Sequence, residues 1–114
     1  DWNPGYIFLK MEGYSDSSTT ANGNYYYHIG GFGGLTERTL NNLKTVKLTF
    51  TGQKAIVTTT LVSDVVVKAD VLKIFNGPTQ VSIKENPGVM FTPFSSNIAD
   101  NYATMFRFDK INLN

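Results

Sequence analysis

With 114 residues, 41% of them hydrophobic and 17% charged, no cysteine and a formal net charge of +1, the chain has the length of one domain. Such a domain buries roughly two-thirds of the surface its unfolded form exposes, enough to fold without disulfides or zinc. The absence of cysteine excludes thiol nucleophiles, iron–sulfur clusters and cysteine zinc sites, and near-neutrality removes the basic footprint of a nucleic-acid binder. No apolar run reaches the roughly 18 residues that span a bilayer. The stretch Asp1-Trp2-Asn3-Pro4 lacks the basic and apolar regions of a signal peptide, which fits a mature or excised chain.

In chain order, Tyr6 to Met11 and Asn24 to Ile29 read as strands, separated by the polar loop Ser15 to Gly23, long enough to be suspected of a role. Gly30-Gly31-Phe32-Gly33-Gly34 cannot sustain a helix and reads as a bend pinned by Phe32. Thr36 to Leu43 is the one stretch expected to be helical, for one or two turns with Leu40 and Leu43 inward. From Lys44 to Thr51, Val46, Leu48 and Phe50 alternate with lysine and threonine, the period of a half-buried strand. Lys54 to Val62 follows as its hairpin partner, since the Thr58-Thr59-Thr60 run suits a pleated surface. Val65 to Phe75 reads as a strand, Asn76-Gly77-Pro78 as a turn, Gln80 to Glu85 as a further strand closed by Asn86-Pro87-Gly88, and Val89 to Phe91 as a short one.

At the C-terminus Phe106 and Phe108 share one parity while Ile111 and Leu113 share the other. An uninterrupted strand would turn one pair to solvent, and a bulge near Asp109 or Lys110 resolves the conflict. Seven or eight short strands joined by Gly, Asn and Pro turns predict an all-β fold with at most one short helix, an antiparallel β-sandwich or a barrel, of which the sandwich is preferred.

The chemistry-bearing residues are few. His28 is the only histidine, so neither a multi-histidine metal site nor a serine triad can be built, and no nucleophile elbow surrounds any serine. Glu12, Glu37 and Glu85 are candidates for a glycosidase carboxylate pair, but spacing selects no pair among them. The glycines at 30–34 lack the Gly-Lys-Ser or Gly-Lys-Thr of a phosphate loop. The aromatic residues say more. Trp2, Tyr6, Tyr14, Tyr25, Tyr26, Tyr27 and Tyr102 are polar-edged rings, and a sugar ring offers an apolar face and a hydroxyl rim that rings and amides satisfy together. Alternation puts Tyr25 and Tyr27 on one side of their strand and Tyr26 on the other. The candidate ligand-binding residues are therefore Trp2, Tyr14, Asn24, Tyr25, Tyr27 and Gln53; packing at the edges of a β core is the competing reading of the tyrosines.

Two stretches carry a family resemblance. Phe106-Arg107-Phe108-Asp109-Lys110-Ile111-Asn112-Leu113 resembles the closing strand of jelly-roll carbohydrate-binding modules, and Met11-Glu12-Gly13 resembles their early apolar–Glu–x–Gly signature. The resemblance implies a jelly-roll-like sandwich without catalysis. It also implies a structural calcium held by Glu12 and Asp109, completed by carbonyls and water because calcium takes six to eight oxygens. A bulge or edge position is the simpler reading of Asp109.

The resulting expectation is a non-enzymatic, lectin-like module, extracellular or surface-associated, whose partner is a polysaccharide or glycan and which belongs to a larger chain or a homo-oligomer. No nucleic acid and no membrane span are expected. The alternative is a structural or attachment domain of a viral, tail-fibre or cell-surface assembly, whose exposed rings make protein contacts. A small hydrolase and a base-stacking barrel follow behind these.

Overall fold

The computed structural model describes residues 5–114. Its order is β1 (Ile7–Tyr14), β2 (Asn24–Gly30), β3 (Ser63–Ala69), a 3-10 turn (Val71–Ile74), β4 (Gly88–Val89), α1 (Ser95–Tyr102) and β5 (Phe106–Leu113). The strands form two sheets, one of three strands in the order β1-β2-β4 and one of two, β3-β5. The expected mostly-β fold with two sheets and one short helix is therefore present.

In the larger sheet β1 and β2 run antiparallel with Lys10 opposite His28, Glu12 opposite Tyr26 and Tyr14 opposite Asn24. β4 joins the other edge of β2 in parallel, Tyr26 against Gly88 and Tyr27 against Val89. Period-two alternation then sorts the side chains. Leu9, Met11, Tyr27, Ile29 and Val89 face inward, where Ile74, Val81, Ile98, Ala99 and Tyr102 complete the core. The inner face is thus covered by α1, which packs on β2 and on the 3-10 turn, and Ile74 of that turn joins the same core.

Buried asparagines fasten this layer. The Asn101 side chain donates to the carbonyls of Ile74 and Thr79, at 2.8 and 2.7 Å, and accepts from the Thr79 amide at 3.0 Å. A Cβ on Gly77 would collide with Asn101, so the Asn76-Gly77-Pro78 turn is held against α1 by a glycine. Asn42 donates to the Gly30 carbonyl and to Ser95 Oγ, and its own carbonyl accepts from the Tyr102 hydroxyl.

Several expected elements differ. Thr36 to Leu43 forms no helix: Gly33 N donates to the Leu40 carbonyl and Asn42 N to the Gly31 carbonyl, closing a loop back on the glycine bend. Gly31, Gly33 and Gly34 all have positive φ there, and Leu43 is exposed. Residues 44–51 and 54–62 form no ladder, because alternation specifies faces but supplies no partner for the backbone. Residues 80–85 turn rather than extend, with Val81 buried in the core and Ile83 half-buried against it. The strand expected from Val65 to Phe75 stops at Ala69, where Asp70 caps the 3-10 turn by accepting from Leu72 N. The helix lies instead at Ser95–Tyr102.

The bulge is where the C-terminal parity conflict requires it. Val66 pairs with Lys110 and Val67 with Phe108, so Asp109 is the extra residue. In consequence Phe106, Phe108, Ile111 and Leu113 share one face of the ribbon with Val65 and Val67.

Candidate functional site

The outer face of the three-stranded sheet carries Lys10, Glu12 and Tyr14 from β1, Asn24, Tyr26 and His28 from β2, and Gly88 from β4. Each position follows from alternation once the opposite parity is committed to the core. A groove of about 570 Å³ opens there, lined by Glu12, Gly13, Asn24, Tyr25, Tyr26, His28 and Met90. Gly88 makes room for the Tyr26 ring, which would meet any Cβ at that position. Gly13 does the same for Tyr25, its partner across the strands, so that ring lies against β1 and also reaches the groove.

Polar groups line one side. His28 Nε2 and Glu12 Oε1 are 2.6 Å apart, a charge-assisted hydrogen bond in which the imidazole N–H donates to the carboxylate. Lys10 Nζ lies 3.7 Å from the same oxygen. The His28 hydrogen bond, with the charge of Lys10 behind it, holds the Glu12 carboxyl below the usual carboxylate range. The His28 ring also packs against Tyr26, with centroids 5.3 Å apart. The result is an aromatic wall beside a fixed anionic acceptor, with the Asn24 amide at the margin.

The sequence-derived residues are only partly brought together. Asn24 and Tyr25 line the groove with Glu12. Tyr14 stands exposed at the end of β1, its hydroxyl donating to Asp16 Oδ1 at 2.9 Å, beside the loop of residues 15–23. That loop is tied to itself and its neighbours: Ser18 and Thr20 hydroxyls donate to the Asn24 carbonyl and Thr19 to the Lys84 carbonyl. Tyr27 is a correction. It is 0% exposed, inside the core, and offers no ring face to a ligand. Gln53 is exposed but stands apart from the groove, by the second sheet, where its Oε1 accepts from Ile111 N at 2.6 Å. Trp2 lies outside the described residues.

Glu12 and Asp109 belong to different sheets, Asp109 lying 3.5 Å from Lys68. Among the described residues no group of three or more His, Asp and Glu side chains gathers as metal ligands would. Tyr26, His28 and Met90 were not singled out as ligand-binding positions. Tyr26 and His28 were legible from the same alternation, since they take the parity opposite Tyr27; Met90 had no such signal.

The model of the MbnP family matches residues 1–91, and the chain belongs to that family. The matched stretch includes every residue lining the groove and ends before α1 and β5. No significant match was found among curated proteins or among solved structures.

Proposed function

We propose that this member of the MbnP family is a non-catalytic carbohydrate-binding module, and that the groove on the outer face of the three-stranded sheet receives the glycan. The observation that carries the reading is the pairing of an exposed Tyr26 ring with a carboxylate fixed beside it, Glu12 held by His28 at 2.6 Å. A pyranose ring laid on Tyr26 places its C–H face on the aromatic surface. Its hydroxyls then donate to Glu12 and exchange hydrogen bonds with Asn24. Fixing the carboxylate beforehand removes ordering that the ligand would otherwise impose. The groove is open and shallow, so binding per site is weak and gains strength where several copies act together.

The lining supports binding over nucleophilic hydrolysis, because it holds a His–Glu pair but no serine or threonine for that histidine to activate. Among the described residues no helix is long and apolar enough to cross a membrane. Partners that are glycans at a cell surface or in the extracellular space fit this reading.

A glycan and polysaccharide array probed with the wild type and with Tyr26→Ala, each with and without a calcium chelator, tests it. The expected result is saturable binding to a related set of sugars that Tyr26→Ala abolishes. Loss with chelator would bring a calcium at Glu12 or Asp109 into the account. A blank array at high protein concentration, or equal binding by the variant, overturns the proposal.

A further inference from the structure

The β3–β5 ribbon is incomplete as a sheet. An isolated two-stranded ribbon is marginal in water and gains stability from a third strand or a covering layer. Among the described residues no strand pairs with the outer edge of β3 or of β5. Ile56 is bonded to the start of β3 through the Ser63 hydroxyl, which accepts from its amide and donates to its carbonyl, a side-chain contact in place of a ladder. Val65, Val67, Phe106 and Leu113 on the apolar face are all exposed. A strand edge in this condition is a template for another chain.

The sequence of β3 indicates which chain. It reads Ser63-Asp64-Val65-Val66-Val67-Lys68-Ala69, a pattern whose charges are complementary to themselves when the strand is reversed. Laid antiparallel to a second copy with Val66 on the two-fold axis, Asp64 falls opposite Lys68 of the second copy, and Lys68 opposite its Asp64. Val65 falls opposite Val67 in both directions. Every like-charged contact is avoided in this register, and the apolar faces of the two ribbons become one. Shifting by one residue would turn valines against the polar face. A two-fold contact of this kind must be self-complementary, and β3 meets that condition.

We propose that this chain forms a two-fold dimer by antiparallel pairing of β3 with β3 of a second copy about Val66, giving a four-stranded sheet in the order β5-β3-β3-β5. The groove on the other sheet is not involved.

The test uses charge reversal and mixing. Asp64→Lys places lysine opposite Lys68 twice across the axis, and Lys68→Glu places acids opposite Asp64 twice. Each variant alone raises the dimer dissociation constant at least about tenfold, because both cross-strand pairs turn repulsive together. An equimolar mixture of the two restores the opposite charges at both positions and returns the dimer in light scattering. Far-UV circular dichroism checks that each variant keeps the wild-type spectrum.

A second probe does not depend on the charges. The chain has no cysteine, so Val66→Cys on the axis forms a disulfide-linked dimer under mild oxidation, much faster than Val57→Cys on the exposed segment before β3. A wild type that stays monomeric at hundreds of micromolar overturns the proposal. So does a mixture no more associated than either variant, or equal cross-linking at positions 66 and 57.

Discussion

At the scale of single residues, parity on β2 divides two kinds of tyrosine chemistry. Tyr27 faces the core, and among the described residues its hydroxyl is buried without a hydrogen-bond partner. Burial pushes its ionisation from 10.0 up to about 12. An unpartnered buried hydroxyl costs more than the methine hydrogen that would replace it, so Tyr27→Phe raises stability by roughly 1 kcal/mol in urea titrations. The pH dependence follows from linkage. The folded state holds the Tyr27 proton more tightly, so its contribution is full below pH 10 and is lost as pH rises towards about 12. Tyr27→Phe flattens that part of the profile relative to wild type, and coincident profiles would contradict the burial.

The neighbouring parity carries the Glu12–His28 pair. With its carboxyl held low by the His28 hydrogen bond, Glu12 keeps its charge as pH falls below the ordinary carboxylate range. What the pair contributes to the fold is present above the unfolded pKa of Glu12 and is lost as pH falls through its lowered folded value. Side-chain NMR titration of Glu12 should show the low midpoint in the wild type and a rise towards the ordinary value in His28→Ala. An unchanged midpoint would mean that the 2.6 Å contact does not govern the carboxylate.

At the scale of elements, the legible and the illegible parts of the fold divide by what completes the backbone hydrogen bonds. β1 and β2 were readable because their alternation sorts the side chains into two faces and each strand lies beside the other. The bulge at Asp109 was readable because two pairs of apolar residues could share a face only with one residue looped out. Residues 44–51 show equally clean alternation and have no ladder, since a sequence pattern does not state whether a partner strand stands beside it. α1 was missed for a different reason. Its buried face includes Ser95 and Asn101 beside Ile98, Ala99 and Tyr102, so two of its five buried positions are written in polar residues.

Those polar residues are tolerated because they are satisfied. Replacing Asn101 by leucine would leave the buried Ile74 carbonyl and the half-buried Thr79 carbonyl and amide without this partner. It should cost about 3 kcal/mol in denaturant unfolding. A cost under about 0.5 kcal/mol, the range of surface substitutions, would show that Asn101 does not hold the turn to α1.

At the scale of the whole molecule, the chain is elongated. Its radius of gyration is 17.6 Å, against about 13 Å for a compact domain of this length. One end is a three-stranded sheet backed by α1, with a filled core and a polar, aromatic outer groove. The other is a ribbon on whose apolar face Phe108 packs against Phe50, while Val65, Val67, Phe106 and Leu113 stay exposed. Of the residues chosen from sequence for ligand binding, Asn24 and Tyr25 line the groove, together with Glu12, which was chosen as a calcium ligand; Tyr27 lies in the core and Gln53 beside the second sheet. Alternation separated Tyr26 from Tyr27, and α1, which packs on β2 and was not expected at Ser95–Tyr102, makes Tyr26 a surface and Tyr27 a core.

The central claim is that the outer groove is where a glycan binds. Amide shift mapping by NMR, with the sugar that binds best on the array titrated into the labelled protein, tests it most directly. The account predicts saturable shifts concentrated at residues 12–13, 24–28 and 90, with β3 and β5 silent. Shifts confined to the ribbon, or no saturation at any sugar concentration reached, would contradict it.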